Sequence, residues 1–309
     1  MKYVVSGYIG FDNFGDEAIA HVLSQKLKSL GAEKITLISS NPEKTSELHG
    51  VCSCGMLNFL PALMESDVLI SGGGSLLQDV TSLKSLLYYL CVIYAALISG
   101  KEVQIYAQGI GPIKSTIGRV LTRFALSKVR KISVRDKKSQ ELLANWGIAS
   151  ELVKDPIFEL ELPQKNSKGI VGIQLRKFQG INEEFLERLA ENVGKNFSDK
   201  KIQIISLQDS IDLEICEQFA LILKDKGIKN AEVLSELSLR GVTETISNLE
   251  YLISMRFHAI VVGIVSGVRT LAINYDPKVE KVAQEYNLPM IKINDNDFAK
   301  QFDSLLRLT

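Results

Sequence analysis

The sequence predicts an α/β protein built from two Rossmann-like units, and three observations carry that expectation. Short apolar runs alternate with longer amphipathic stretches almost throughout, the pattern of a mostly parallel sheet covered by helices on both faces. The alternation breaks once, in the polar, proline-bearing stretch 160–168, and then restarts. The length of 309 residues suits two domains at about 150 residues each. The expected boundaries are 1–160 and 161–309.

In the first unit, strands are expected over 3–6, 34–39, 67–71, 102–107, 131–134 and 152–154. Helices are expected over 15–30, 82–99, 117–129 and 137–146. The second unit starts with a strand over 169–174, a helix over 183–196, a strand over 201–206 and a helix over 211–226. Strands over 231–234, 251–254, 270–273 and 290–293 follow, with helices over 278–286 and 297–306. Two such units facing each other across a cleft form a GT-B-like arrangement, in which the last helix can cross back to the first domain.

Composition narrows the function classes. Hydrophobic residues make up 46% and charged residues 23%, ordinary for a globular protein. Lys plus Arg and Asp plus Glu both number 36, so no overall field favours nucleic acid. The chain begins with a strand and a glycine turn, without a signal-peptide pattern. Residues 85–99 form the longest apolar stretch, shorter than the ~18–20 residues needed to span a bilayer. A buried core helix is expected there, with contact between residues 86–97 and a membrane face as the second reading. Cys52, Cys54, Cys91 and Cys216 show neither a disulfide framework nor zinc spacing. A reducing cytoplasm and no metal are therefore expected. His21 and His49 have no ligand-spaced neighbours, and no nucleophile elbow is present.

The candidate functional residues fall at expected strand ends, where open α/β sheets bind ligands. The first loop runs Gly7-Tyr8-Ile9-Gly10-Phe11-Asp12-Asn13-Phe14-Gly15-Asp16-Glu17-Ala18. Its glycines permit tight turns, but the spacing is not the dinucleotide fingerprint, and Asp16 and Glu17 would repel a pyrophosphate. Asn13, Asp16 and Glu17 could hold sugar hydroxyls, or could simply complement the helix dipole. The second loop, Ser71-Gly72-Gly73-Gly74-Ser75, lacks the P-loop lysine. Three glycines in a row suggest a strained turn or an approaching ligand. A third loop, Gln108-Gly109-Ile110-Gly111-Pro112, closes the next strand.

Cations accompany these loops. Arg135, in Ser133-Val134-Arg135-Asp136, reads as an anion clamp or as the partner of the adjacent carboxylate. Ser254-Met255-Arg256-Phe257-His258-Ala259 places a permanently charged guanidinium two residues before an imidazole, combining anion binding with proton transfer. Its bland alternative is a salt bridge and a helix cap. Arg176 and Lys278 follow other strand ends and are further cations for the same cleft.

Together with Asp155-Pro156, these motifs resemble the polysaccharide pyruvyl transferase family, over nearly the whole chain as far as about Lys278. The bacterial branch that modifies cell-wall polymers for S-layer anchoring is the most similar. The resemblance implies transfer of pyruvate from phosphoenolpyruvate to two sugar hydroxyls, with release of phosphate and no further cofactor. It implies that Arg135, Arg256, Phe257, His258 and Lys278 bind phosphoenolpyruvate, with Arg256 and His258 catalytic. The loop residues Gly10, Asn13, Asp16, Glu17, Gly73, Gly74, Ser75 and Gln108 would face the acceptor. That acceptor would be an N-acetylmannosamine residue on a lipid-linked saccharide, bringing the protein to the inner membrane face, with no nucleic acid involved. A nucleotide-sugar glycosyltransferase or epimerase on the same frame is the alternative, with Glu236 or Glu244 as a ribose-binding acid. A non-catalytic anion- or sugar-binding protein is the third reading.

Overall fold

The computed structural model describes residues 1–164, 169–293 and 297–308. Residues 165–168 of the expected linker lie outside this set. The chain divides into two compact units, Met1–Leu160 and Glu161–Thr309.

The first unit runs β1 (Lys2–Ser6), α1 (Phe14–Ser29), β2 (Lys34–Ser39), α2 (Pro42–His49), β3 (Cys52–Gly55), α3 (Phe59–Met64) and β4 (Val68–Gly72). It continues α4 (Leu83–Ile98), β5 (Glu102–Gln108), α5 (Thr116–Leu126), β6 (Lys131–Val134), α6 (Lys137–Asn145), β7 (Glu151–Leu152) and a 3-10 turn at Pro156–Glu159. The strands pair in the order β3-β2-β1-β4-β5-β6-β7, all parallel. The sequence reading lacked α2, β3 and α3. They are short, and α2 is a polar helix that buries little beyond Thr45 and His49, so no apolar periodicity marks it.

The second unit runs β8 (Ile170–Gln174), α7 (Glu183–Phe197), β9 (Lys201–Ile205), α8 (Asp209–Asp225), β10 (Ala231–Leu234), α9 (Leu239–Ser247) and β11 (Tyr251–Ser254). It ends with α10 (Phe257–Val265), β12 (Arg269–Asn274), α11 (Pro277–Glu285), β13 (Met290–Lys292) and α12 (Phe298–Leu306). Its parallel order is β10-β9-β8-β11-β12-β13. The unexpected helix α9 is announced by its cap: Ser238 accepts the N–H of Gly241. The final helix, for which a return to the first domain was one expectation, buries Phe298, Phe302 and Leu305 in the core of its own unit.

Both sheets thus have the doubly wound order in which crossovers leave in opposite directions from two adjacent strands, β1 and β4 in one unit, β8 and β11 in the other. Ligands bind outside the carboxyl ends of that strand pair, because the diverging loops leave a crevice there. The central strands are nearly continuous apolar runs, as strands covered on both faces must be. Helix α4 buries Leu86, Tyr89, Leu90, Val92, Ile93 and Ala96 and is a core helix. No helix among the described residues is long and apolar enough to cross a membrane.

Candidate active site

At the switch point of the first unit, the loop after β1 is held by the side chains of Asn13 and Glu17. Asn13 caps α1, its side chain accepting the N–H groups of Gly15 at 3.1 Å and Asp16 at 3.4 Å. Glu17 is buried, with Oε1 accepting the Gly10 N–H at 2.7 Å and Oε2 lying 3.0 Å from His49 Nε2. The carboxylate therefore ties the glycine turn to α2, and His21 lies against the same histidine at 5.8 Å between ring centroids. Gly10 has φ of 82°, and a Cβ there would lie 2.2 Å from Ser39 Oγ and 2.6 Å from Asn41 N. Its glycine is explained by close packing within the protein.

The loops after β4 and β5, neighbouring strands, are joined through their backbones. Gly109 N–H donates to Gly74 O at 2.9 Å and Gly111 N–H to Leu77 O at 2.8 Å. Gly73, at φ of 56°, would place a Cβ 2.1 Å from Ile19 Cγ2 on α1. At Gly74 a Cβ would meet Asp16 Oδ1 at 2.8 Å. With Gly7, Tyr8, Gly72 and Gly73, Asp16 lines a recess of about 10 Å³, room for about one water. Gln108 is fully buried, donating from Nε2 to Ser71 Oγ at 2.8 Å. Its Oε1 is buried with no partner among the described residues.

Arg135 leaves the end of β6 and is already paired. Its Nη1 donates to Asp155 Oδ2 and its Nη2 to Ser75 Oγ at 3.1 Å, with the two charged side chains 7% and 4% exposed. The neighbouring carboxylate expected as a partner, Asp136, instead caps α6 through Ser139 N–H at 2.8 Å. A buried guanidinium requires a nearby counter-charge, and Asp155, twenty residues on, provides it in place of Asp136.

The second unit gathers more of the expected residues. Gln174, at the end of β8, accepts the Arg256 N–H at 2.8 Å and the Ser254 hydroxyl at 3.2 Å with Oε1. This fixes the chain as it leaves β11 for α10. The small residues of α10 let it press on the sheet, and a Cβ at Gly263 would lie 2.9 Å from Leu252 Cδ2. Arg256 occupies the N-cap position of α10. Its Nε and Nη2 donate to Asp212 Oδ2 and Oδ1 at 3.1 and 2.6 Å, and Nη2 also to Gln208 Oε1 at 3.2 Å. This bidentate pair is buried, with Asp212 at 0% and Arg256 at 7% exposure. Burial pushes the Asp212 carboxyl above its ordinary range, against the downward pull of Arg256. Like Arg135, Arg256 arrives at the site with a carboxylate in hand.

His258 stands in the first turn of α10, half-buried, its ring edge-on to Phe257 at 5.2 Å between centroids. Arg176, just past β8, lies 6.0 Å from the centroid of Tyr275, and Phe178 packs edge-on against the same ring at 5.0 Å. Lys278 is exposed in the first turn of α11, which follows β12. Arg176, Arg256, His258 and Lys278 therefore leave the carboxyl ends of β8, β11 and β12, which are adjacent in the sheet. Gln174 and Tyr275 escaped the sequence reading as site residues, as did Gln208 and Asp212. Asp212 looks like any acid in the first turn of a helix, so only its partner reveals it. Of the ribose-binding candidates, Glu244 is held by Arg240 at 2.6 Å, and Glu236 donates its N–H to Asp209. Among the described residues no group of three His, Cys, Asp or Glu could hold a metal ion.

Comparison with solved structures returns the same two-unit fold in GT-B glycosyltransferases and epimerases. An Anabaena protein, Alr3699/HepE, solved with UDP and glucose, is 11% identical with a TM-score of 0.63, covering 99% of this chain and 90% of that one. Staphylococcus aureus MnaA, solved with UDP, is 8% identical with a TM-score of 0.67, covering 100% and 88%. A Listeria monocytogenes putative UDP-N-acetylglucosamine 2-epimerase is 12% identical with a TM-score of 0.65, covering 99% and 88%. At these identities the likeness shows the fold alone. No curated protein matches the chain. The model of the polysaccharide pyruvyl transferase family matches residues 13–277, from the cap of α1 to the first residue of α11, and the chain belongs to that family.

Proposed function

We propose that the protein transfers pyruvate from phosphoenolpyruvate to two hydroxyls of an N-acetylmannosamine residue in a lipid-linked cell-wall polysaccharide precursor. The reading is carried by the Arg256-Phe257-His258 turn at the switch point of the second unit. It joins a buried, oriented guanidinium to the N–H groups of a helix N-terminus and an imidazole.

Phosphoenolpyruvate is a dense anion, with a phosphate and a carboxylate to be held at once. Helix N-termini and arginine forks suit both groups. Asp212 and Gln208 engage Nε and Nη2 of Arg256, so the anion would meet Nη1 and the first N–H groups of α10. Asp212 cancels much of the Arg256 charge, which leaves Arg176 and Lys278 to supply the net positive charge. Arg135 would act through Ser75, which it holds beside the glycine loops assigned to the acceptor. No further cofactor enters this reading.

The reaction balances with few parts. The methylene carbon of the donor takes a proton, one sugar hydroxyl attacks the adjacent carbon, phosphate departs, and the second hydroxyl closes the ketal. One hydroxyl proton ends on the new methyl group and the other on the released phosphate. His258 would carry one of them, a role worth on the order of 10²–10⁴-fold in rate. Such an acceptor belongs to the synthesis of S-layer-anchoring polymers on the cytoplasmic side of the membrane.

The test is phosphate release from phosphoenolpyruvate with a synthetic lipid-linked N-acetylmannosamine disaccharide. Release that depends on the acceptor, and falls about a hundred-fold or more in His258→Ala with the fold intact, is expected. Thermal stabilisation by phosphoenolpyruvate without release would keep the donor and reject the sugar. Stabilisation by a uridine nucleotide and not by phosphoenolpyruvate would overturn the reading in favour of a nucleotide-sugar enzyme.

A further inference from the structure

One face of the first unit combines exposed apolar side chains with local positive charge. Along α5, Ile117, Val120 and Phe124 are 69%, 62% and 57% exposed, and steps of three and four residues put them on one helical face. Leu83 and Leu87 extend along α4 with the same four-residue step and are 42% and 40% exposed. The two helices are joined at Tyr94, whose hydroxyl donates to Leu121 O at 2.8 Å and whose ring stacks on Phe124 at 6.4 Å.

The charge on this face is one-sided. Between Ile113 and Arg130 stand Lys114, Arg119, Arg123, Lys128 and Arg130, all exposed, and no acidic residue. Helix α4 adds Lys84 and no acid. Asp79, at the margin, accepts the N–H groups of Lys114 and Ser115 at 2.7 Å each. Since Lys plus Arg equals Asp plus Glu over the whole chain, the excess comes from placement and not composition.

We propose that the α4–α5 face docks on the surface of an anionic lipid bilayer. Ile117, Val120 and Phe124 would enter the boundary between headgroups and acyl chains, with α5 lying in the plane of the interface. Arg123 and Lys128, whose ammonium sits 5.4 Å from the Phe124 ring centroid, would meet the lipid phosphates. A second copy of the chain suits this face less well, because two basic faces would oppose each other. The proposal does not depend on the pyruvyl transferase reading, since it concerns lipid and not substrate.

The experiment is co-sedimentation of the full chain with phosphatidylcholine vesicles, with and without phosphatidylglycerol. Binding is expected only with phosphatidylglycerol and should weaken with salt. Arg123→Gln combined with Lys128→Gln should weaken it roughly 25-fold, at about five-fold per basic residue. Ile117→Ser with Phe124→Ser should lose about ten-fold or more, consistent with removal of buried apolar area. Leu221→Ser, at a position 61% exposed on the second unit, should change nothing. Equal binding to neutral vesicles, no binding to either, or an equal loss in Leu221→Ser would overturn the proposal. So would self-association abolished by Ile117→Ser with Phe124→Ser in the absence of lipid binding, which would assign the face to a second copy.

Discussion

Glu17 decides whether the first glycine loop is shaped by the protein or by its substrate, and Glu17→Ala separates the two. The carboxylate is 6% exposed and holds two groups, the Gly10 N–H at 2.7 Å and His49 Nε2 at 3.0 Å. Removing it takes away two hydrogen bonds to a charged acceptor, each worth about 1.5–3 kcal/mol, and leaves buried partners unsatisfied. The expected loss is about 3–5 kcal/mol, or roughly 6–20 °C in the melting transition at about 2–4 °C per kcal/mol for a unit of this size. Glu17→Gln should recover part of it, since the amide keeps an acceptor for Gly10 and can donate to a His49 tautomer with its proton on Nδ1. The assay is thermal unfolding followed by circular dichroism, alongside the Michaelis constant for the acceptor. A melting temperature within about 2 °C of the parent, with a raised acceptor constant, would refute this reasoning and make Glu17 a substrate contact.

Other outcomes follow from the same geometry. Gly73→Ala should cost about 2–4 kcal/mol, from left-handed backbone strain plus overpacking against Ile19, whereas Gly31→Ala, at φ of 77° with nothing within 4 Å, should cost only the strain of about 1 kcal/mol; equal losses in urea melts would remove the packing explanation. Arg256→Lys should restore little of the activity lost in Arg256→Ala, because an ammonium cannot reproduce the fork on Asp212; full recovery of phosphate release would contradict it. Burial raises the Asp212 carboxyl, so the native state keeps a proton that the unfolded chain gives up. Stability at this group therefore falls as pH rises from the ordinary carboxylate range through the raised value, and Asp212→Asn should remove that part of the slope in urea melts taken across acidic pH. An unchanged slope would show that Arg256 outweighs burial.

The elements were legible wherever a run of residues buried one face. Strands such as β4 and β11 are short apolar runs, and helices such as α7 carry an apolar stripe, so local hydrophobicity alone marks them. It failed at α2 and β3, which bury little, and α9 went unread although it buries Val242 and Ile246 one turn apart. The candidate site divides in the same way. Glycine loops and the Arg256-Phe257-His258 turn could be read because glycine, arginine and histidine have distinctive chemistry at strand ends.

What those residues touch was not readable. By itself the sequence determined the two-unit α/β fold and the family, because alternation and motif spacing are local properties that survive along the chain. Only the tertiary structure decided that Arg135 reaches Asp155, that Arg256 reaches Asp212, and that Gly10 and Gly73 make room for Ser39 and Ile19. Those partners lie 20 to 54 residues apart and meet only because the sheet order brings their strands and helices together. A buried charge takes whatever counter-charge the fold delivers, and nothing within one helical turn of sequence says which that will be.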